Sequence, residues 1–233
     1  MKKREKGVIF LKRGVEVETK SEALMREIGL DPTRFANAQG YVFDFGGVIS
    51  VSPIPKWDQT LYPYLEQQGL TREQARAGWK RWRYLWDGGF ISFADFYRKV
   101  FAEVGVEPTA EVLDYLWRVD AAGWVEEFRP ETWELMKALK REGRKVGILT
   151  NMSADFFEKL YVPRCAEYRA LIDAEVVSGL ERLYKPEKPI YDLMASRMGL
   201  SPAQLVFFDD TEANVLAARS FGWSSELYPA PCR

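Results

Sequence analysis

The sequence predicts an α/β protein, a mostly parallel β-sheet covered by helices on both faces and interrupted early by an all-helical insertion. Three observations predict it. From about residue 129 onward, short apolar runs alternate with amphipathic helical patterns, the rhythm of parallel crossovers. Between residues 53 and 128 helical spacing alone remains. The apolar runs end on polar residues, as expected where a ligand sits beyond the carboxyl ends of parallel strands. A chain of 233 residues has room for one domain, or for one domain with a smaller insert. It can bury enough surface to fold without a disulfide or metal staple.

The elements follow in order. Residues 7–19 (GVIFLKRGVEVET) predict two short strands around a turn at Lys12-Arg13-Gly14. A short helix should follow, with Ser21 as N-cap and Gly29 at its end, and residues 31–40 read as a linker. Residues 1–40 therefore form an N-terminal extension, read as an edge element, a tail or a dimer contact, and the protein is expected to be a monomer or homodimer. Tyr41 to Phe45 is an apolar strand pattern broken only by Asp44, and it opens into Gly46-Gly47.

The insertion, residues 53–128, shows helical repeats at Leu61-Tyr62-Leu65, Trp79-Trp82-Trp86, Phe93-Phe96-Tyr97-Val100-Phe101 and Val112-Leu113-Leu116-Trp117. The core, residues 41–52 and 129–233, resumes with a helix over Pro130–Glu142, proline being well placed in a first turn. Lys145–Leu149 is a strand ending at Thr150-Asn151, and Phe156–Arg169 reads as helix. Ile172–Val177 is a strand, with Lys185 in the loop beyond it and a helix over Pro189–Met198. Leu205–Phe208 is a strand ending at Asp209-Asp210, and Ala213–Ser220 is a helix with Gly222 past its end.

Composition removes several chemistries. The chain contains no histidine, so it cannot by itself build a Ser-His-Asp triad, a Cys-His pair or a His-ligated zinc site. The two cysteines, Cys165 and Cys232, are too few for a zinc site or a disulfide framework and read as incidental thiols. Lys+Arg (33) and Asp+Glu (34) nearly cancel, which argues against nucleic acid or an anionic lipid surface as partner. No apolar run approaches the roughly 18 residues of a membrane span. Val8 to Leu11 is too short for a signal-peptide core, so the expected location is the cytoplasm.

Asp44, Thr150-Asn151, Lys185 and Asp209-Asp210 each have an ordinary explanation as turn, cap or surface residues. Together they should meet at one edge of one sheet, because parallel crossovers place all strand C-termini there. Three carboxylates brought together repel and call for a cation. With only oxygen ligands available, Mg2+ is the natural choice. Mg2+ with Lys185 could neutralise a phosphoryl group, with the Thr150 hydroxyl and nearby N–H groups bonding its oxygens, leaving Asp44 to attack phosphorus.

The segments VFDFGGVIS (42–50), ILTN (148–151), YKPEKPIY (184–191) and VFFDDTEAN (206–214) resemble the four ordered motifs of the haloacid dehalogenase superfamily. The resemblance covers about residues 41–225 and is nearest to the branch with an Asp-Asp fourth motif and a helical cap after the first. It implies a Rossmann-like core, Asp44 as nucleophile and metal ligand, and Gly46 offering its carbonyl to Mg2+. It implies further that Thr150 and the amide of Asn151 hold the phosphoryl oxygens and that Lys185 stabilises their charge. Asp210 would ligate the metal, with Asp209 beside it or one shell out, and Asn214 would orient the pair. The implied partner is a small phosphorylated metabolite such as a sugar phosphate.

One departure matters. Many phosphatases of the family carry a second Asp, a general acid and base, where this chain has Gly46. Such catalysis is typically worth about 10²–10⁴-fold, so hydrolysis of poor leaving groups should be slow unless a residue of the insertion substitutes. A substrate tolerating less proton help, such as an anomeric sugar phosphate, is expected. Two other readings stay open: a metal-free dehalogenase, and a silent phosphate-binding regulatory protein. Within the insertion, GWKRWRYLWDGG (78–89) has two readings. One is a substrate-facing surface with Lys80, Arg81 and Arg83. The other, favoured by the aromatic stripe, is a helix with Trp79, Trp82 and Trp86 in a core and its charges in solvent.

Overall fold

A computed structural model describes residues 18–229. The hairpin expected at 7–19 lies almost wholly outside them, as does Cys232. The described chain opens with α1 (Lys20–Ile28), closed by Gly29 in the left-handed region. Its N-cap is Thr19, not Ser21: Thr19 and Glu22 form a reciprocal capping box. Ser21 lies one residue inside the helix, and its N–H and hydroxyl both donate to the Glu142 carboxylate, at 2.9 and 2.5 Å. The expected linker contains a 3-10 turn, Pro32–Phe35, capped by Asp31.

β1 (Gly40–Phe43) follows, then the helices of the insertion: α2 (Leu61–Gln67), α3 (Arg72–Asp87), α4 (Phe93–Ala102) and α5 (Ala110–Leu116). Thr71, Ser92 and Thr109 cap the last three. After α5 the chain passes through a π-turn, Trp117–Ala121, and a 3-10 turn, Ala122–Val125. The core resumes with α6 (Pro130–Arg141) and β2 (Lys145–Thr150). The helix expected over Phe156–Arg169 is broken into α7 (Ala154–Phe156), a π-turn over Phe157–Tyr161, α8 (Val162–Arg164) and α9 (Ala166–Arg169). Pro163 lacks the N–H that would continue the ladder there. β3 (Ala174–Val177), α10 (Ser178–Glu181), α11 (Lys188–Met198), β4 (Leu205–Asp209), α12 (Glu212–Ser220) and β5 (Ser224–Leu227) complete the chain.

The five strands run parallel in the order β3-β2-β1-β4-β5. β1 is central, so Asp44 leaves the sheet between the ends of β2 and β4. The sequence does not predict β5, since Ser-Ser-Glu-Leu carries no apolar run. It needs none, because it is an edge strand with one half-buried side. On one face Val42, Leu149, Val176 and Phe207 pack under Ile190, Tyr191 and Met194 of α11. On the other, Phe43, Ile148 and Phe208 belong to a larger cluster containing Leu135 and Leu139 of α6 and Met25 of α1. That cluster runs on into the insertion through Trp86, Phe96, Tyr97 and Phe101.

The two chain crossings between sheet and insertion lie side by side. Val51 N–H donates to Glu127 O at 2.8 Å, and Arg129 N–H to Ile49 O at 2.9 Å. No helix among the described residues is long and apolar enough to cross a membrane.

Candidate active site

Four loops that leave the carboxyl edge of the sheet supply the expected residues, and the structure brings them together. Asp44 follows β1, its N–H donating to Phe208 O on β4 at 2.9 Å. Lys185, 1% exposed, reaches in from the loop after α10 and places Nζ 2.9 Å from Asp44 Oδ1, 2.7 Å from Asp209 Oδ2 and 3.2 Å from Leu149 O. All three ammonium protons therefore have acceptors. Asn151 fixes that loop: its Nδ2 donates to Lys185 O at 3.0 Å, and its Oδ1 accepts from Lys185 N–H at 2.9 Å. The Thr150 side chain, at the end of β2, lies in the same wall.

The neighbouring aspartates differ. Asp209 is fully buried, and its two oxygens accept from Lys185, the Thr211 N–H and Asn214 Nδ2. The Asp210 carboxylate, at the cavity floor, accepts from the Thr211 hydroxyl at 3.3 Å. Asp44, Asp209 and Asp210 each place a carboxylate oxygen within 4.8 Å of the others. Burial, with Asp209 and Asp210 adding to it, pushes the Asp44 carboxyl up to about 7 against the pull of Lys185. Burial also raises Asp210. Lys185 responds in the opposite way. Burial works against its charge, but Asp209 and Asp44 outweigh that and hold it above its ordinary value.

Above this edge lies a cavity of about 250 Å³. Asp44, Thr150, Asn151 and Asp210 line its floor, and the insertion contributes Trp79, Arg83, Trp86, Asp87 and Trp124. Trp124 accounts for the glycine at position 46: a Cβ there would stand 2.9 Å from the indole Cζ3 and 3.3 Å from Cε3. The indole occupies the space that a side chain at 46 would need.

Neither reading of the Trp-rich helix holds in full. Trp86 is buried, Trp79 and Trp82 are half-buried, and Lys80 and Arg81 are exposed, as the core reading expects. Arg83 is not in solvent. Its side chain is 14% exposed, and its guanidinium carbon lies over the Trp79 ring at 4.7 Å and the Trp86 ring at 4.4 Å. Arg83 Nε donates to Asp87 Oδ1 at 2.8 Å and Nη1 to Asp120 Oδ1 at 3.2 Å. Asp120 also accepts from the Tyr97 hydroxyl at 2.7 Å and from Trp79 Nε1 at 3.2 Å. Sequence reasoning misses Asp87 and Asp120. The only signal is the acid before Gly88-Gly89, at the end of the aromatic stripe.

Comparison with known proteins shows the family and the fold. The model of the haloacid dehalogenase-like hydrolase family matches residues 19–222. A phosphatase of Mycobacterium tuberculosis is 26% identical over 191 residues, 80% of this chain and 85% of that protein. A sesquiterpene phosphatase of Aspergillus oryzae is 26% identical over 184 residues, 78% of this chain and 85% of that protein. Among solved structures, a family enzyme of Bacteroides thetaiotaomicron in complex with magnesium and inorganic phosphate superposes with a TM-score of 0.54 at 18% identity, covering 84% of this chain and 96% of that one. The L-2-haloacid dehalogenase of Xanthobacter autotrophicus superposes with a TM-score of 0.56 at 21% identity, covering 81% and 76%. At these identities the structural matches speak for the fold.

Proposed function

Because the chain belongs to the haloacid dehalogenase-like hydrolases, we propose that it is a Mg2+-dependent phosphomonoester hydrolase working through an aspartyl-phosphate on Asp44. The observation that carries this reading is the cluster of Asp44, Asp209 and Asp210 around a single buried lysine. Lys185 balances one of the three negative charges, and the donor set is oxygen alone, which fits Mg2+. Asp44, Asp210 and the Gly46 carbonyl would hold the ion, while Asp209, whose oxygens are already hydrogen-bonded, would sit beside it. When bound, the ion would neutralise charge on the phosphoryl oxygens.

The protein's own groups then carry the reaction. Thr150 and the Asn151 amide orient the phosphoryl group, and Lys185 balances its charge. An Asp44 oxygen attacks phosphorus as the bond to the leaving oxygen breaks. Water then attacks the phosphorus of the acyl phosphate, releasing phosphate and regenerating the Asp44 carboxylate. The helices of residues 53–128 act as a cap over the site and exclude bulk water. A cavity of about 250 Å³ suits a small metabolite. Its indole walls and the fixed Arg83–Asp87 pair suit the apolar face and hydroxyls of a sugar phosphate.

The phosphatases among the relatives support phosphate transfer. A metal-free dehalogenase would have no use for Asp210 beside Asp209. The test is hydrolysis of p-nitrophenyl phosphate with Mg2+, with EDTA, and by Asp44→Asn. Turnover that requires Mg2+ and vanishes in the variant is expected. Halide release from 2-haloacids by folded protein that leaves phosphate esters intact would overturn the reading.

A further inference from the structure

Loss of an acid at position 46 leaves the leaving oxygen without an evident proton donor. Resting on the phosphatase reading, we propose that Asp87, carried into the cavity by the insertion, is that donor. Of the cavity-lining side chains, Asp44, Arg83, Asp87 and Asp210 are ionisable. Asp44 is the nucleophile and Asp210 belongs to the acidic cluster. Arg83 keeps its proton, because Asp87 and Asp120 outweigh the burial that opposes its charge. Asp87 is left.

Its geometry suits the task. One oxygen, Oδ1, is held by Arg83 Nε at 2.8 Å, while Oδ2 receives no hydrogen bond from the described residues. The backbone beneath it is fixed, the Ser178 hydroxyl donating to Asp87 O at 2.5 Å. Gly89, two residues on, approaches Gly179 so closely that a Cβ would stand 2.3 Å from Gly179 O. Asp87 also lines the same cavity as Asp44, Thr150 and Asn151, the residues that would hold the phosphoryl group. The charged and titratable groups facing Asp87 are Arg83, Asp120, Asp155 and Tyr184. Burial, with Asp120 and Asp155 adding to it, raises its carboxyl to about 6 against the pull of Arg83.

The step balances. As Asp44 bonds to phosphorus and the ester P–O bond breaks, the Asp87 O–H proton passes to the leaving oxygen, which departs as the neutral alcohol. In the second half, Asp87 takes a proton from the water that attacks the acyl phosphate and returns to its acid form.

The experiment compares kcat/KM for a series of phosphate monoesters from p-nitrophenyl to simple alkyl, in the wild type, Asp87→Asn and Asp87→Glu, with Mg2+ present. With an acid at work, the wild type should depend weakly on leaving-group pKa. Asp87→Asn should depend steeply on it, losing on the order of 10²-fold or more on alkyl esters and far less on the aryl ester. Asp87→Glu should recover part of the loss. For alkyl esters the wild-type profile should fall as pH rises through the Asp87 range, and that limb should vanish in Asp87→Asn. Three outcomes overturn the proposal: a steep leaving-group dependence in the wild type, an equal loss on every ester, or a loss confined to KM, which would make Asp87 a substrate-hydroxyl acceptor. The wild-type series needs no variant to fold. Mg2+-dependent aryl turnover with any of these results leaves the phosphatase reading standing.

Discussion

Position 46 shows how one residue's surroundings decide what chemistry it can carry. The Trp124 ring would lie 2.9 Å from a Cβ there, so a larger side chain must displace an indole wedged in the cavity wall. Overpacking of this kind costs about 1–3 kcal/mol, which lowers the melting temperature of a chain this size by about 2–4 °C per kcal/mol. Gly46→Asp should therefore lower Tm without raising kcat/KM on alkyl phosphates. In the double variant Gly46→Asp/Trp124→Ala the loss of Tm should be smaller than the sum of the two single losses. Strict additivity in thermal unfolding would show that the indole does not set the glycine. Residues also differ in how far the sequence reveals them. Asp44, Thr150, Asn151, Asp209 and Asp210 are legible because they lie at or just beyond strand ends, which parallel crossovers gather, and Lys185 because it follows β3 in the same crossover, after α10. Trp124 and Asp87 are not, because they meet the site only through how the insertion docks, and no local pattern encodes that.

At the scale of elements, the end of α3, with Asp87 as its last residue, and the turn after it clasp the insertion to the core. Ser178 Oγ donates to Asp87 O, and Trp86 Nε1 donates to Asp155 at the start of α7, at 2.8 Å. Gly89, at φ +71°, lies against Gly179, whereas a Cβ added at Gly105, at φ +70°, would have nothing within 4 Å. Both alanine variants share the cost of a left-handed backbone, so their difference isolates the contact. Gly89→Ala should be the less stable by about 1–3 kcal/mol, measured by denaturant unfolding, and equal losses would count against the clasp. α6 is legible nearly to the residue, and the apolar repeat over Phe93–Phe101 nearly spans α4, while Trp79-Trp82-Trp86 marks only the second half of α3. Sequence and structure part where another force overrides periodicity: a half-buried Ser21–Glu142 contact at α1, a proline within 156–169, and an edge strand, β5, that joins the sheet without an apolar run.

For the whole molecule, the buried acids couple stability to pH. Asp44 binds its proton more tightly in the native state, at about 7, than in the unfolded chain, near 3.8, so between those values the native state holds more protons. Stability must then fall as pH rises through that window, with the penalty complete above the folded pKa. Asp87 and Asp210, both also raised by burial, act with the same sign. Asp31 and Asp95, lowered chiefly by hydrogen bonds from Thr33 and Ser92, act with the opposite sign, but below this window. A divalent cation held by these carboxylates, as proposed above, would favour their charged forms and bind the folded chain, so its stabilisation should grow with pH. In EDTA, Tm should therefore decline from about pH 5 to about pH 8. Mg2+ should reduce that decline, and Asp44→Asn should flatten it without metal because the largest raised acid is gone. Scanning calorimetry in both conditions decides the matter: equal slopes with and without Mg2+ in the wild type would mean that the cluster binds no cation strongly enough to matter. A slope unchanged in Asp44→Asn would place the proton uptake on Asp87 and Asp210, and so on the insertion side of the cavity and the fourth loop rather than on Asp44.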